Sequence, residues 1–381
     1  MQRWTVNLEG GPRRVNHAAV AIRDRIFSFG GYCTGEDYET TRPMDVHILD
    51  TVSLRWTLLP IPKLNDPQYS LSPYQRYGHT AVAFEDNAYV WGGRNDVDGA
   101  CSILFCFDST KLKWSCPNTG GNIPIARDGH SACVINNKMF IFGGYEEEVD
   151  RFSNEIHAFD FLTMSWSAVH PKGTPAIWRD FHTATGVGNN MYIFGGRSDE
   201  GGDIFTNKEI YCNKIQLFDT LTNTWHEPVT LGTPPVGRRS HSAFVFKENL
   251  YIFGGYSGKH DIHFKDVFRF DPVKMQWSTI KVKGQGPCAR RRQCCCVIDT
   301  KVFLFGGTSP TPDTEFTNTE KDLTDHSDLH VLDFAPSLKT LCQIAVIEHK
   351  LETQCLPSFL RWEISVMTTD NQITKPHNNN G

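Results

Sequence analysis

The chain has 381 residues, 39% of them apolar, and a formal charge of −5; this length suits two average domains or one large all-β body, and the charge argues against wholesale nucleic-acid or membrane binding driven by charge. Twelve cysteines stand without framework spacing, and the N-terminus MQRWTVNLEG has no apolar signal core, so reduced thiols and a cytoplasmic address, extending to the nucleus, are expected. No run approaches the roughly 18 apolar residues that cross a bilayer, so a soluble protein is expected.

The first element is RWT at 3–5, which mirrors LRWT at 54–57. From residue 14 a unit then recurs six times. Each copy carries an arginine (Arg14, Arg76, Arg127, Arg179, Arg238, Arg290) and, three residues on, a histidine (His17, His79, His130, His182, His241), replaced by Gln293 in the sixth copy. Thirteen residues after that slot comes a Gly-Gly pair, at 30, 92, 143, 195, 254 and 306, ending a short β-prone run such as MFIFGG or LYIFGG. An aspartate and, six residues later, a tryptophan follow in five copies: Asp50 and Trp56, Asp108 and Trp114, Asp160 and Trp166, Asp219 and Trp225, Asp271 and Trp277. In the sixth, Lys339 stands at the tryptophan offset from Asp333, so Trp4 is expected to supply the outer strand from the other end of the chain. A period of 51 to 62 residues with four short strands per unit predicts an all-β, six-bladed propeller over 1–335, closed by an N-terminal strand.

If the strands of a blade are named a (histidine slot), b (ending in Gly-Gly), c (ending in Asp) and d (starting at Trp), antiparallel order puts the d-to-a and b-to-c connections on one face. The a-to-b turns are short and polar: Asp24-Arg25, Asp86-Asn87, Asn136-Asn137, Asn189-Asn190, Glu248-Asn249 and Asp299-Thr300. The extra length, at 32–45, 58–75, 197–212 and 308–327, lies on the other face, and variable loops on a rigid scaffold are the usual seat of binding.

The run RRRQCCC at 290–296 is, in register, the sixth copy of RRSHSAF at 238–244. Alternation along a strand sends Cys294, Cys295 and Cys296 to opposite faces, which suits packing and not coordination of one ion. One histidine and one arginine per blade are spread around the ring, so a structural role is expected for both, with no metal and no cofactor. The residues just before the histidine slot do vary, and include Asp128, Asp180, Arg239-Ser240 and Arg291-Arg292; after the Gly-Gly pairs stand Tyr32, Arg94, Tyr145, Arg197, Tyr256 and Thr308. A mouth with arginines on one side, carboxylates on the other and tyrosines between suits a peptide carrying both charges, such as a free C-terminal carboxylate beside a cationic side chain. The plainer alternative is that these charges pair with each other or face water.

Beyond Asp333 the pattern changes. Ser337 is a good N-cap, and Leu338, Leu341, Cys342, Ala345 and Val346 fall on one face of a helix. Next comes LPSFLRWEI at 356–364, where Pro357 suits a first helical turn and Leu360 and Ile364 share a face. A helical segment over 336–366 and a flexible polar tail over 367–381 are expected.

The double glycine, the spaced tryptophan and the period resemble kelch repeats over about residues 3–335. Ser337-Leu338, Cys342 and Val346 are similar to an Elongin-binding box, and Leu356-Pro357, Leu360 and Ile364 to the cullin 2 box that follows it. With RRRQCCC, FGGTSP, DHSDLH and SLKTLC, the layout resembles the kelch-repeat substrate receptors of cullin 2 RING ubiquitin ligases. That resemblance implies a non-catalytic receptor that works with Elongin B/C and cullin 2. It would bind C-terminal degrons ending in glycine, with Arg, Lys or Gln before it, and present them for ubiquitination and proteasomal degradation. It also implies that Arg197 and Arg239-Ser240 hold the carboxylate. A second arginine of the family is absent from RSDEGGD at 197–203, so Arg291 or Arg292 is expected to replace it, with Asp128 and Asp180 favouring a basic penultimate residue. The chain's own Asn380-Gly381 end fits self-association through such a pocket, against the plainer alternative of a tail without function. The competing class is a kelch scaffold without ligase partners, binding chromatin, histone tails or actin; an oxidase lacks a copper ligand set or catalytic dyad in the sequence.

Overall fold

The computed structural model describes residues 2–36, 40–311 and 323–375. Six antiparallel sheets, each with four main strands, form the blades of a propeller. In blade one the strands are Ala18–Ile22, Arg25–Phe29, Val46–Asp50 and Arg55–Leu58. Their inner two alternate or bury every apolar side chain, as in AAVAI and IFSF, the pattern of a strand covered on both faces. Apolar clusters fill the space between neighbouring blades, and the predicted tryptophans Trp56, Trp114, Trp166, Trp225 and Trp277 are all buried.

Blade six closes as expected. Strand β1 (Arg3–Leu8) pairs antiparallel with Leu329–Asp333, Trp4 opposite Leu332 and Leu8 opposite Leu329. Trp4 packs edge-on against Phe253 of the preceding blade at 6.2 Å between ring centroids. The a-to-b turns need one correction: the two-residue loops are 23–24, 85–86, 136–137, 188–189, 247–248 and 299–300, one position earlier than expected in four blades. Left-handed conformations at Arg23, Glu85, Gly188 and Lys247 open those turns, as two-residue hairpins require.

The repeated Arg, His and Gly-Gly form one joint. The second glycine of each pair donates its N–H to the carbonyl of the next blade's arginine, as in Gly31 to Arg76 (2.8 Å), Gly196 to Arg238 (2.8 Å) and, across the closure, Gly307 to Arg14 (2.9 Å). A Cβ on Gly195 would lie 2.4 Å from the Arg238 carbonyl oxygen and 2.6 Å from the His241 ring, so only glycine lets the blades approach. Five of the arginines turn back to their own blade's first glycine, as Arg179 Nη1 does to the Gly195 oxygen (2.9 Å). Burial keeps the histidines neutral, His79 and His241 brought down to about 3. Cys294 and Cys296 pack into one apolar cluster and Cys295 into the next, and burial pushes the Cys295 thiol up to about 12; the three cysteines are inert core.

Of the helices, α1 (Pro67–Leu71) lies in a loop, and α2 (Leu338–Glu348) and α3 (Ser358–Thr368) follow the ring. The Ser337 hydroxyl accepts from Thr340 N (3.1 Å), the predicted cap. Pro357 is itself the N-cap of α3, with φ −53°, and not part of its first turn; a residue whose ring fixes φ and which has no N–H to offer suits either place. The two helices are joined by Lys339 to Glu363 (2.7 Å) and Gln343 to Glu363 (2.5 Å), and α3 packs on β1 with Val366 buried.

The tail departs from expectation. In place of a flexible segment from 367, residues 369–375 run along blade one: Asn371 N donates to Glu9 O (2.8 Å), Trp56 N donates to the Asn371 side chain (3.2 Å), and Leu58 N donates to Thr374 O (2.9 Å). The tail thereby satisfies the backbone of an outer strand that would otherwise present an open edge. Asn380 and Gly381 lie outside the described residues.

Candidate functional site

The mouth is built by register. In each blade the residue two before the histidine slot forms an antiparallel bridge with the residue after the Gly-Gly pair: Val15 with Tyr32, Tyr77 with Arg94, Asp128 with Tyr145, Asp180 with Arg197, Arg239 with Tyr256, Arg291 with Thr308. The two variable sets found in the sequence therefore share one rim.

Inside that rim runs a feature that the sequence pattern did not reveal. Asn16, Gly78, Gly129, Phe181, Ser240 and Arg292 all have φ between 50 and 69°. Each donates its N–H to the carbonyl of the preceding member, from Gly78 to Asn16 (3.1 Å) round to Arg292 to Ser240 (2.8 Å), and Asn16 to Arg292 (3.3 Å) closes the circle. The trace left in the sequence is two glycines and an asparagine, the residues most tolerant of that conformation; Phe181, Ser240 and Arg292 gave no such signal.

The rim has two electrical halves. On blades three and four, Asp180 is buried and clasped by Arg197 through Nε (3.1 Å) and Nη2 (2.5 Å). Asp128, also buried, has no ion-pair partner among the described residues. Burial and the charge of Asp180 raise its carboxyl to about 7, against the pull of Arg94. Arg94, Asp128, Tyr145, Phe181, Arg197 and Phe205 surround a cavity of about 210 Å³. Arg94 is itself held by Glu147 (3.0 Å).

On blades five and six the balance is reversed. Arg239 pairs with Glu209 (2.6 Å), which also lies 3.6 Å from Arg197 and accepts from the Tyr211 hydroxyl. Glu209 comes from the long blade-four loop and was missed, because nothing in the repeat fixes how that loop folds back. Arg291 lies over the Tyr256 ring at 4.4 Å, and Arg292 donates to the Tyr32 hydroxyl. Among the described residues neither has a carboxylate within ion-pair distance, and the Nε of each is buried without a partner. Burial, then the neighbouring charges of Arg292 and Arg239, lowers Arg291 to about 10. Ser240 contributes its backbone to the inner ring. Tyr145 and Tyr256 donate to Asp150 and Asp261, the latter at 3.1 Å, and Tyr32 stacks edge-on with Tyr77.

This arrangement can take up an anion at Arg291 and Arg292 and a cation at Asp128, in one elongated ligand. Arg197 pairs with Asp180, another charge of the rim, whereas Arg239 pairs with Glu209 from outside that set, and Arg291, Arg292 and Asp128 have no ion pair among the described residues. No group of three or more His, Cys, Asp or Glu side chains among the described residues could hold a metal ion.

A second surface lies on the helices. Leu338 is 77% exposed and Leu341 41%, with Cys342 also exposed and Val346 half-buried, while Gln343 and Ile344 face inward. The predicted apolar face of α2 thus points to solvent. Leu356, Leu360 and Ile364 are half-buried and Pro357 exposed; beside them Phe359 and Trp362 are 58% and 50% exposed, two apolar side chains that the motif did not include.

Residues 78–307 match the model of the KLHDC2/KLHL20/DRC7 Kelch-repeats domain. The chain is similar to Kelch domain-containing protein 3 of Bos taurus, 56% identical over 377 residues that cover 99% of this chain and 98% of the relative. The same protein of Homo sapiens is 55% identical over 377 residues, with the same coverage. Host cell factor 2 of Homo sapiens is 30% identical over 252 residues, 62% of this chain and 31% of that protein.

Proposed function

We propose that this chain, which belongs to the kelch-repeat propeller family, is the substrate-recognition subunit of a cullin 2 RING ubiquitin ligase and binds C-terminal degrons ending in glycine. The observation that carries the reading is the pair Arg291 and Arg292, each with an unpartnered Nε, on a rim that also carries the buried carboxylates Asp128 and Asp180 on other blades. A C-terminal carboxylate supplies the two-oxygen anion that a guanidinium binds by paired hydrogen bonds. Terminal glycine brings no Cβ to the crowded inner ring, and an Arg or Lys before it gives Asp128 a cation to pair with. Arg239 stays tied to Glu209 and orients that residue, and Arg197 holds Asp180 in place; both shape the pocket more than they contact the carboxylate.

The helices complete the reading. A solvent-facing Leu338, Leu341 and Cys342 on a capped helix offer a leucine to a partner groove, with a small cysteine permitting close approach. This is the face proposed for Elongin B/C, and Leu356, Pro357, Leu360 and Ile364 the one for cullin 2. The protein works as a binding subunit, and its partners supply the chemistry.

A second reading is a scaffold that takes basic chain segments, as of histone tails, into the Asp128 cavity without regard to a chain end. A fluorescent decapeptide ending Arg-Gly, compared with its C-terminally amidated form on wild type and on Arg292→Ala, separates the two. Tight binding lost on amidation and weakened at least tenfold by the substitution is expected; equal binding of both peptides would leave the scaffold reading.

A further inference from the structure

The twelve cysteines are not alike. Cys288 lies on the d-to-a loop before blade six, exposed, and its sulfur faces two cationic or proton-accepting groups: His326 Nε2 at 3.4 Å and Arg290 Nη2 at 3.2 Å. His326 is held by its backbone N–H on Gly307 O (2.9 Å), and its Nε2 is shared with the Ser309 hydroxyl at 2.8 Å, which can turn to accept once that nitrogen carries a proton. Arg290 is fixed by Asp328 (2.5 Å) and by Gly306 O (3.1 Å). Neither partner therefore needs to move to meet the sulfur. Burial raises the Cys288 thiol, but the hydrogen bond with His326 and the charge of Arg290 more than offset it and bring it down to about 7. A groove of about 660 Å³ opens on the sulfur, with Ile262, Ala289 and Pro310 among its walls. The described residues offer no set of ligands for a metal ion there.

We propose that Cys288, with His326 and Arg290, is a covalent modification site for soft electrophiles with an apolar body, of the class of medium-chain α,β-unsaturated aldehydes. The thiol proton passes to His326 Nε2, and Arg290 steadies the thiolate. The sulfur adds to the β-carbon of the aldehyde, and the C=C electron pair moves toward the carbonyl to give an enolate. The imidazolium returns its proton to the α-carbon. One C–S and one C–H bond form, one π bond and one S–H bond are lost, and no oxidant or reductant is needed. The alkyl chain lies along Ile262 and Pro310. Among the described residues the exposed cysteines Cys116, Cys342 and Cys355 have no such pair of partners, and the site stands whether or not the mouth binds degrons.

The test is peptide mass mapping of the full chain after brief exposure to trans-2-nonenal or N-ethylmaleimide across pH 5.5–9. Addition at Cys288 by the whole mass of the aldehyde, without loss of water, is expected, with a rate midpoint near pH 7. With lower intrinsic nucleophilicity allowed for, Cys288 should outpace a free thiol of ordinary pKa about threefold at pH 7 and about sixfold at pH 6. His326→Gln should remove that lead, while buried Cys133 and Cys296 stay unlabelled and report an intact fold. A Cys288 profile that matches the free thiol, or one unchanged in His326→Gln, would overturn the proposal.

Discussion

Arg197 and Arg291 are both rim arginines, yet their removal should have opposite effects. Arg197→Ala leaves Asp180 buried and unpaired, a cost of about 3 kcal/mol, visible as a lower midpoint in thermal or urea unfolding. Arg291→Ala removes a cation crowded by Arg292 and Arg239, so stability should hold within about 0.5 kcal/mol while affinity for a free C-terminal carboxylate falls tenfold or more. Asp128 gives a pH signature. An unfolded aspartate loses its proton near 3.9, whereas the folded one keeps it to about 7. Between those values the folded state binds more protons, so stability declines as pH rises through the window and stays reduced above it. Asp128→Asn should therefore exceed wild type by on the order of 2–4 kcal/mol at pH 8 and match it at pH 3.5. A peptide ending Arg-Gly, which pairs with ionised Asp128, should lose about tenfold in affinity per pH unit below 7, and one ending Ala-Gly should not. The rim residues were legible because register alone places them; Glu209 was not, since its position depends on how one long loop folds back on Tyr211 and Arg239.

At the scale of elements, α2 turns an apolar face outward while its polar Gln343 and apolar Ile344 are the buried pair. Leu338→Asp should abolish Elongin capture in a pull-down yet change the unfolding free energy by less than about 0.5 kcal/mol, the usual effect of an exposed substitution. A loss of stability instead would mean that the face packs on the ring. Cap and periodicity made these helices readable. The strap at 369–375 was not, because polar composition suggests disorder, and only the unfilled backbone edge of blade one, reached by Asn371 and Thr374, turns that composition into order.

For the molecule as a whole, six copies of one Arg and Gly-Gly joint, five of them with the histidine and the sixth with Gln293, made the ring legible, and the missing sixth tryptophan pointed to its closure. The circle of left-handed residues inside the rim was hidden, because backbone conformation leaves a mark only where glycine or asparagine serves it. Trp4 is 8% exposed and joins blades five and six, so Trp4→Ala should cost about 3–5 kcal/mol and broaden the unfolding transition as blade six opens first, measured by hydrogen exchange of Leu329–Asp333. The same closure sets a clock on the ribosome. Residues 3–8 are made about 320 residues ahead of their partner strand at 329–333, the last strand of the ring in chain order. At roughly 5–20 residues per second, β1 waits on the order of tens of seconds with its hydrogen-bonding edge and its tryptophan unoccupied. Until that strand arrives the ring of six blades cannot close, so slower translation lengthens the interval in which β1 has no partner edge.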